Sequence, residues 1–281
     1  MNYQCTFCQI KSFENLINKL PITEEEKDEV VNRFLQVMAS VDRNKDAPEI
    51  AGEIHATIRS ALNNPDPYKE QKRENNEDML QQYETFREII HTSSDRFKAA
   101  MRMALGGNII DFGPNHKFNI NETLSEAMTA TLAIDDTEQL KKDVKQARQI
   151  LYLGDNAGEI VLDKLFIETL DHPNVWFAVR GNPVINDATE EEARFVGMHR
   201  IARIINNGDD SPSTVLSRVS EEFLEVYKKS DLVIAKGMGN LEGLLQETRP
   251  DLYFLLMIKC DRVGNLIGVE KGRFVVRKNR K

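Results

Sequence analysis

Residues 149–160 read QILYLGDNAGEI, an apolar run followed by polar and small residues. The apolar run has the length and composition of a buried β-strand, so Asp155 and Asn156 would stand where that strand ends. An acid and an amide followed by Ala157 and Gly158 are poor choices for a simple turn. The stretch therefore predicts that Asp155 and Asn156 bind a ligand.

Downstream of this stretch, short β-prone runs alternate with helical runs. The predicted strands are QILYLG, NVWFAVRG, RIARIINNG, DLVIAKG and YFLLMIKC. Helices are predicted from Glu159 to Leu170, from Ala188 to Arg194 and from about Ser213 to Lys228. This alternation predicts an α/β fold, an α/β/α sandwich with a mostly parallel, doubly wound sheet. In such sheets, ligands bind at the carboxyl ends of the strands.

The first hundred or so residues carry helical patterns and no strand signal. Residues 23–26 form a capping box, and apolar residues follow it at three- and four-residue spacing. The segment NNPDPYKEQKRENNED indicates a polar break, and a further helical run is predicted from about Met79 to Ala104. The chain is therefore expected to divide into an all-helical N-terminal region, residues 1–110, and an α/β/α Rossmann-like domain, residues 111–281.

Composition and charge exclude some classes of function. The net charge is −8, and no basic block occurs outside the tail KGRFVVRKNRK, so nucleic acid binding is disfavoured. No run approaches the roughly 18 to 20 apolar residues of a membrane span. The start, MNYQCTFCQIKSFENL, lacks the features of a signal peptide. We expect a soluble cytoplasmic protein with no membrane or nucleic acid partner; its oligomeric state is not predicted.

The three cysteines, Cys5, Cys8 and Cys260, form an odd set, which argues against a secreted disulfide framework. Cys5 and Cys8 form a CxxC motif. A structural zinc site would need two more ligands, and none of the five histidines lies at a paired spacing. A redox-active CxxC usually follows a strand, whereas this one opens a helical segment. The pattern favours a helix start with half-buried thiols and leaves metal binding and redox chemistry open.

Polar groups follow four successive predicted strands. These groups are Asp155-Asn156, Arg180-Gly181-Asn182 with Asn186-Asp187, Asn206 to Asp210, and Lys236 to Asn240. A single Asp after a strand is most often a helix N-cap. Four strands that end in this way indicate a functional site along one edge of the sheet.

The residue types at this edge indicate metal and phosphate. Carboxylate and amide oxygens without a matching set of His or Cys select a hard cation such as Mg²⁺ or Mn²⁺ over zinc. Asp155, Asn156 and Asp187 could supply three oxygens, while GMGN after Lys236 offers backbone donors beside an ammonium. The chain lacks the GxxxxGK[ST], GxGxxG and GxSxG motifs, so a P-loop enzyme, a nicotinamide enzyme and a serine hydrolase are disfavoured.

Four segments together resemble the metal-dependent damage-control phosphatases of the ARMT-like family, long called domain of unknown function 89. The segments are LGDNAGEIVLDKL, RGNPVINDAT, DLVIAKGMGNLEGL and GGNIIDFG (106–113). The match runs over essentially the whole chain, and the CxxC resembles the prokaryotic, archaeal-type branch. The resemblance implies a helical N-terminal region packed on an α/β/α sandwich, a divalent metal, and hydrolysis of small phosphorylated metabolites such as sugar phosphates.

The resemblance also implies roles for individual residues. It carries metal binding onto Asp155, Asn156 and Asp187, with Mg, Mn, Co or Ni as the candidate metals, and phosphate binding onto Lys236; these four are the catalytic candidates. The resemblance also gives Asn108, Asp111, Gly237 and Gly239 as substrate-binding candidates. The positions at the strand ends add Glu159, Arg180, Asn186 and Asn240, with Arg180 either clamping the phosphate or forming a surface ion pair. Relatives usually carry Pro-Gly-Thr where residues 212–214 read Pro-Ser-Thr, which leaves the role of Asp209 and Asp210 open.

Alternatives remain at this point. The nucleophile could be a metal-activated water or a carboxylate that forms an aspartyl-phosphate. A methyltransferase using S-adenosylmethionine is compatible with a doubly wound sheet, but it would want an acid after the second strand, where Arg180 stands. A non-catalytic protein that binds metal or metabolite, with the CxxC as a regulatory element, is the third possibility. The physiological substrate is not predicted.

Overall fold

The structure is a computed structural model, and it describes residues 2–108 and 120–280. Seven strands in these ranges form one sheet: β1 (Ile134–Asp135), β2 (Ile150–Leu153), β3 (Val175–Val179), β4 (Arg203–Asn206), β5 (Leu232–Lys236), β6 (Leu252–Met257) and β7 (Phe274–Lys278). Their spatial order is β1-β7-β6-β5-β2-β3-β4. Neighbouring strands are parallel, except that β6 and β7 run antiparallel.

The described helices form two groups. Those before the sheet are α1 (Tyr3–Ile17), α2 (Glu24–Ser40), α3 (Ala47–Ala61), α4 (Lys69–Gln81), α5 (Tyr83–Thr92), α6 (Arg96–Gly107) and α7 (Ile120–Thr129). Those between strands are α8 (Thr137–Gln146), α9 (Glu159–Leu170), α10 (Glu190–Phe195), α11 (Glu221–Lys229), α12 (Gly237–Leu244) and α13 (Asp261–Ile267). None of these helices, in the ranges described, combines the length and the apolar character needed to cross a bilayer.

The middle strands are buried because helices cover both faces of the sheet. Every residue of β2 and β5 is buried, as expected for central parallel strands. On one face, Tyr152, Phe177 and Ile234 pack with residues of α6 and α9. On the other face, Leu151 and Val233 pack with residues of α11 and α12. The arrangement is an α/β/α sandwich with a mostly parallel sheet, so the predicted fold class is confirmed.

Helices α1, α2 and α3 have an apolar cluster of their own. Phe13 of α1 stacks on Phe34 of α2 with ring centroids 4.0 Å apart, and Ile50 and Ile54 of α3 belong to the same cluster. Helices α4, α5 and α6, in contrast, contribute to the apolar core on one face of the sheet. The boundary expected near residue 110 lies outside the described residues, so the division into 1–110 and 111–281 stays a prediction.

Helix boundaries differ from the sequence pattern in three places. The run expected from about Met79 to Ala104 is the end of α4 followed by α5 and α6, because Asp95 starts a new helix by accepting the N–H of Lys98 at 3.1 Å. The helix expected to begin near Ser213 begins at Glu221, where Ser220 caps it. The segment expected as a polar break contains α4.

The strands β1 and β7, which are neighbours at one side of the sheet, were not expected from the sequence. Strand β7 lies within the basic tail KGRFVVRKNRK and pairs along its whole length with the buried strand β6. Phe274, Val275 and Val276 are buried there, while Arg277 and Lys278 are half-buried. The charged composition of the tail therefore gave no strand signal, and β7 forms because it pairs with β6.

Helix α4 is polar along its length, yet its inner face is buried. Lys72, Asn75 and Asn76 are all buried on this face. The ammonium of Lys72 lies 2.6 Å from Asp66 Oδ2 and 3.0 Å from Glu192 Oε1. Glu192 in turn accepts the N–H of Thr189 at the start of α10, so α4 is joined to the loop that follows β3.

Lys72→Ala is expected to lower the free energy of unfolding in urea by about 3–5 kcal/mol, because it leaves buried carboxylates without their partner. Lys69→Ala is the matched control. Lys69 lies one turn earlier and pairs with Glu191 at 2.8 Å, but the two side chains are 55% and 65% exposed, so no measurable loss is expected. Equal losses in the two variants would contradict a special role for the buried contact.

Candidate functional site

The loops that follow β2 and β3 are hydrogen-bonded to each other. Ala188 donates its N–H to the carbonyl oxygen of Asp155 at 2.8 Å. Asn156 and Asp187 form an isolated antiparallel bridge beyond the ends of the strands. These contacts bring the three predicted metal ligands, Asp155, Asn156 and Asp187, together at the carboxyl edge of the sheet.

Two unusual backbone conformations shape these loops. Gly158 has φ +82°, and its N–H donates to Asn76 Oδ1 of α4 at 2.6 Å, so the polar helix fixes the turn that begins α9. Ile185 has φ +47°, a left-handed conformation that β-branched residues rarely adopt. Strained residues of this kind persist where the surrounding structure holds them, and they occur often at functional sites.

Asp155 and Glu159 accept hydrogen bonds from the same two amides. Asn108 Nδ2 lies 3.3 Å from Asp155 Oδ2 and 3.2 Å from Glu159 Oε2. Asn156 Nδ2 lies 3.2 Å and 3.3 Å from the same two oxygens. Asn108 also caps the C-terminus of α6 and accepts the N–H of Met257 at the end of β6. It is therefore both a helix end and a site residue.

Arg180 holds the aspartates from the end of β3. Its Nε donates to Asp187 Oδ2 at 2.6 Å, and its Nη2 lies 3.6 Å from Asp155 Oδ1. Its Nη1 donates to Asn240 Oδ1 at 3.2 Å and to Thr214 Oγ1 at 3.5 Å. The residue is buried, and Nη2 is a buried donor without a hydrogen-bond acceptor in the described chain. Arg180 thus orients Asp187.

Lys236 lies deeper than a phosphate ligand would. Its ammonium donates to Asp163 Oδ1 at 2.5 Å, to Glu159 Oε1 at 2.7 Å and to the carbonyl oxygen of Ala104 at 2.9 Å. An ammonium has three hydrogen atoms, so these acceptors occupy all of its donors. The position differs from the one expected from the sequence, because two carboxylates of α9 hold the side chain inside the protein.

The turn after Lys236 passes directly beside Asp155. Gly237 has φ +76°, and a Cβ atom there would lie 1.8 Å from Asp155 Oδ2. A Cβ atom on Gly239 would lie 2.1 Å from the carbonyl oxygen of Pro212. Asn240 accepts from Arg180 and donates to the carbonyl oxygens of Gly154 and Lys236. The start of α12 is thus packed closely against the aspartate.

The chain matches the damage-control phosphatase ARMT1-like domain over residues 1–275. An uncharacterized protein of Methanocaldococcus jannaschii is 33% identical, with 98% of this chain and 94% of that protein covered. A damage-control phosphatase of Pyrococcus horikoshii is 29% identical, with coverages of 100% and 98%. The crystal structure of a domain of unknown function 89 family protein from P. horikoshii, also 29% identical, superimposes with a TM-score of 0.90 and coverages of 100% and 99%.

The chain belongs to the ARMT1-like damage-control phosphatase family. The family predicted from the sequence is thereby confirmed. Its assignment to an archaeal-type branch by the CxxC motif stays a prediction.

Some residues that were predicted to belong to the site lie at its margin or outside the described residues. Asn186 contributes its backbone carbonyl, which accepts the N–H of Ala157 at 2.8 Å. Asp111 lies outside the described residues. Asp209 and Asp210 accept hydrogen bonds from Arg218. The two aspartates therefore brace the loop after β4.

Three residues of the site were missed in the sequence. Asp163 is buried against Lys236, and its place four residues after Glu159 on α9 is the signal that could have revealed it. Asn76 was hidden in a segment that reads as a polar break. Lys259, at the end of β6, is half-buried, and its charge acts to lower the pKa of Asp155.

Burial raises the pKa of several carboxyl groups at this site. Burial, reinforced by Glu159 and Asp187, raises the pKa of Asp155 well above its ordinary value. Burial also raises the pKa of Asp187, although Arg180 opposes the shift. The pKa of Asp163 is raised to about 6 by burial, against the opposing charge of Lys236. The carboxyl groups are thus held where their negative charge is disfavoured.

The residue types fit a hard divalent cation. Asp155, Asn156 and Asp187 offer carboxylate and amide oxygens, which Mg²⁺ and Mn²⁺ prefer. Within the described ranges, no three His, Cys, Asp or Glu side chains are grouped so that they could hold a metal by themselves. The Asn156 amide and oxygens from outside the protein would therefore have to complete the coordination, which is usual for Mg²⁺. Metal binding stays a prediction.

Gly237→Ala is expected to weaken Mn²⁺ binding by about tenfold to a hundredfold, the range seen when groups that orient metal ligands are lost. The added methyl group displaces the Asp155 carboxylate. Gly272→Ala is the matched control, because Gly272 has φ +83° and nothing lies within 4 Å of its added Cβ. Titration calorimetry on metal-stripped protein measures both affinities. Equal weakening in the two variants would mean that backbone strain, rather than contact with Asp155, is responsible.

Proposed function

We propose that this chain is a divalent-metal-dependent phosphatase that hydrolyses small phosphorylated metabolites, such as sugar phosphates or related phosphate monoesters. The observation that carries the proposal is the meeting of Asp155, Asn156 and Asp187 beside the N-terminus of α12. Family membership supports the phosphatase class. Relatives from P. horikoshii and Archaeoglobus fulgidus are named damage-control phosphatases.

Asp155, Asn156 and Asp187 would hold the metal. A divalent cation, when bound, supplies a Lewis acid that polarises the phosphoryl group and offsets its negative charge. Arg180 keeps Asp187 in place through its Nε, and Asn108 orients Asp155 through Oδ2. This arrangement presets the ligands, so little reorganisation is needed during the reaction.

The phosphate would bind between the N-terminus of α12 and Lys259. Backbone N–H groups at a helix N-terminus favour an anion, and Gly237 and Gly239, on either side of Met238, add no side chains of their own to this turn. Lys259 lines a cavity beside the turn and acts electrostatically on Asp155. It is therefore better placed than Lys236 to neutralise charge on the phosphoryl oxygens.

Lys236 would act through Glu159 and Asp163. With all three of its hydrogen atoms donated, the ammonium keeps these two buried acids paired and fixes the Glu159 carboxylate below Asp155. Burial alone would lower the pKa of Lys236, but the two carboxylates raise it. Lys236 therefore remains charged and serves as a positioning residue.

The cavity beside the turn fits the remainder of a small substrate. Its volume is about 500 Å³, which is within the range of small-molecule sites. Ile185, Pro212 and Met238 give it apolar walls, Lys259 and Lys271 add cationic ones, and Asp261 and the ion pair of Arg262 with Glu242 complete the polar lining. Asp155 and Asp187 do not line it. The phosphate would thus lie at its inner end and the metabolite body within it.

The test is phosphate release from p-nitrophenyl phosphate and a panel of sugar phosphates. EDTA-stripped protein is supplied singly with Mg²⁺, Mn²⁺, Co²⁺ or Ni²⁺. Release should require metal and fall by at least about a hundredfold in Asp155→Ala and Asp187→Ala, since even groups behind metal ligands are worth 10–100-fold. Asp209→Asn is the matched control, because this buried aspartate at the end of β4 pairs with Arg218.

Lys259→Met in the same assay should raise KM, because the cation that meets the phosphate is lost. Absence of release with every metal, in folded protein, would contradict the proposal. Binding of S-adenosylmethionine would then favour a methyltransferase, and binding of metal or metabolite without turnover would favour a sensor.

A further inference from the structure

All three cysteines of the chain line one cavity. Cys5 and Cys8 belong to α1, whereas Cys260 stands at the N-cap of α13, directly after Lys259. The cavity is the one that adjoins the start of α12, and its volume is about 500 Å³. The fold therefore joins two thiols from the start of the chain with a third from its far end, beside the proposed phosphatase site.

The pair Cys5 and Cys8 has the Cα spacing that a disulfide needs. Both residues lie in the first two turns of α1, and Cys5 is held there by its N–H bond to Asn2 Oδ1 at 3.0 Å. Residues three apart in an α-helix have Cα atoms about 5 Å apart, given a rise of 1.5 Å and 100° per residue. Disulfides span Cα separations of about 4.4–6.8 Å but Cβ separations of only about 3.5–4.5 Å, whereas residues three apart on a helix hold their Cβ atoms about 5–6 Å apart. The Cα spacing therefore fits, and the bond closes once a local shift in the first two turns of α1 brings the two Cβ atoms about 1–2 Å closer.

The surroundings of Cys8 favour the neutral thiol over the thiolate. Desolvation by the surrounding residues raises the pKa of the Cys8 thiol, although the residue is exposed at the rim of the cavity. The negative charges of Cys5, Cys260 and Glu242 raise this pKa further. A disulfide is a strong oxidant when the thiolate of its reduced form is stabilised. Because the opposite holds here, the disulfide is favoured relative to the reduced pair.

The same thiols do not form a ready metal site. Three cysteines could in principle hold a soft cation. Within the described ranges, however, no three His, Cys, Asp or Glu side chains are grouped closely enough to hold one. A disulfide needs only Cys5 and Cys8, which lie about one turn apart on the same side of α1, so the geometry favours oxidation over metal binding.

We propose that Cys5 and Cys8 are a redox-active dithiol that closes reversibly to a disulfide by exchange with small disulfide molecules entering this cavity. The Cys8 thiolate attacks one sulfur of the disulfide RSSR, and RS⁻ leaves and takes up a proton. The Cys5 thiolate then attacks the Cys8 sulfur, which forms the intramolecular bond and releases the second RS⁻. One RSSR becomes two RSH, and the protein dithiol becomes the disulfide.

The test uses reduced, full-length protein equilibrated with excess oxidised glutathione and then denatured for thiol counting. Of the three thiols, one should remain, and peptide mapping should identify a Cys5–Cys8 bond. In the Cys260→Ser variant, the thiol count should fall from two before oxidation to none after it. Cys8→Ser should form no intramolecular disulfide. The thiol count does not depend on phosphatase activity, so it remains informative if the proposed hydrolysis fails.

Several results would overturn the proposal. They are a count that stays at three, a map that places Cys260 in the disulfide, and disulfide-linked dimers on a non-reducing gel. So would Co²⁺ binding by the reduced protein with a thiolate charge-transfer band that disappears in Cys8→Ser, because that would identify a metal site.

Discussion

Among the described residues, four buried carboxylates contact only two buried cations, and this imbalance of charge is the constraint on which the site depends. Asp155, Glu159, Asp163 and Asp187 are all buried, and the cations that contact them are Arg180 and Lys236. Isolated buried charge is costly, so such groups need partners, metal ions or protons. Lys236 offsets the inner pair of acids and Arg180 holds the outer pair. A divalent cation at Asp155 and Asp187 would offset the remaining negative charge.

The helical region supplies part of this arrangement. Asn108 at the end of α6 contacts both Asp155 and Glu159, and Asn76 of α4 accepts the N–H of Gly158 at the start of α9. Helix α1 brings Cys5 and Cys8 to the neighbouring cavity. The helices before the sheet therefore form walls of the candidate site, and loss of their packing would disturb the proposed metal ligands as well as the proposed substrate cavity.

The sequence predicted the features that local pattern determines. Central strands buried on both faces give continuous apolar runs, and polar residues in the loops after them were predicted to lie together, as Asp155, Asn156 and Asp187 do. Contacts made across the fold were not predictable. Lys236 stands at the end of a strand, where a phosphate ligand was expected, but its ammonium donates to the buried Asp163 carboxylate. Helix α4 was concealed because it buries polar residues, and β7 because its pairing with β6, rather than its composition, stabilises it.

Thermal unfolding of EDTA-treated protein between about pH 4 and pH 8, with and without Mn²⁺, tests this account most directly. Acids whose pKa is raised on folding destabilise the fold as pH rises through the interval from the unfolded to the folded pKa. Burial lowers the pKa of His55 to about 4, so His55 makes the fold more stable as pH rises and opposes the effect of the acids. This contribution is the same in wild type and Asp155→Asn, so it cancels when the two proteins are compared. Without metal, Asp155→Asn should be the more stable protein at pH 8, and the difference should narrow toward pH 4. Mn²⁺ should stabilise only the wild type. Parallel profiles and equal responses to Mn²⁺ would contradict the account.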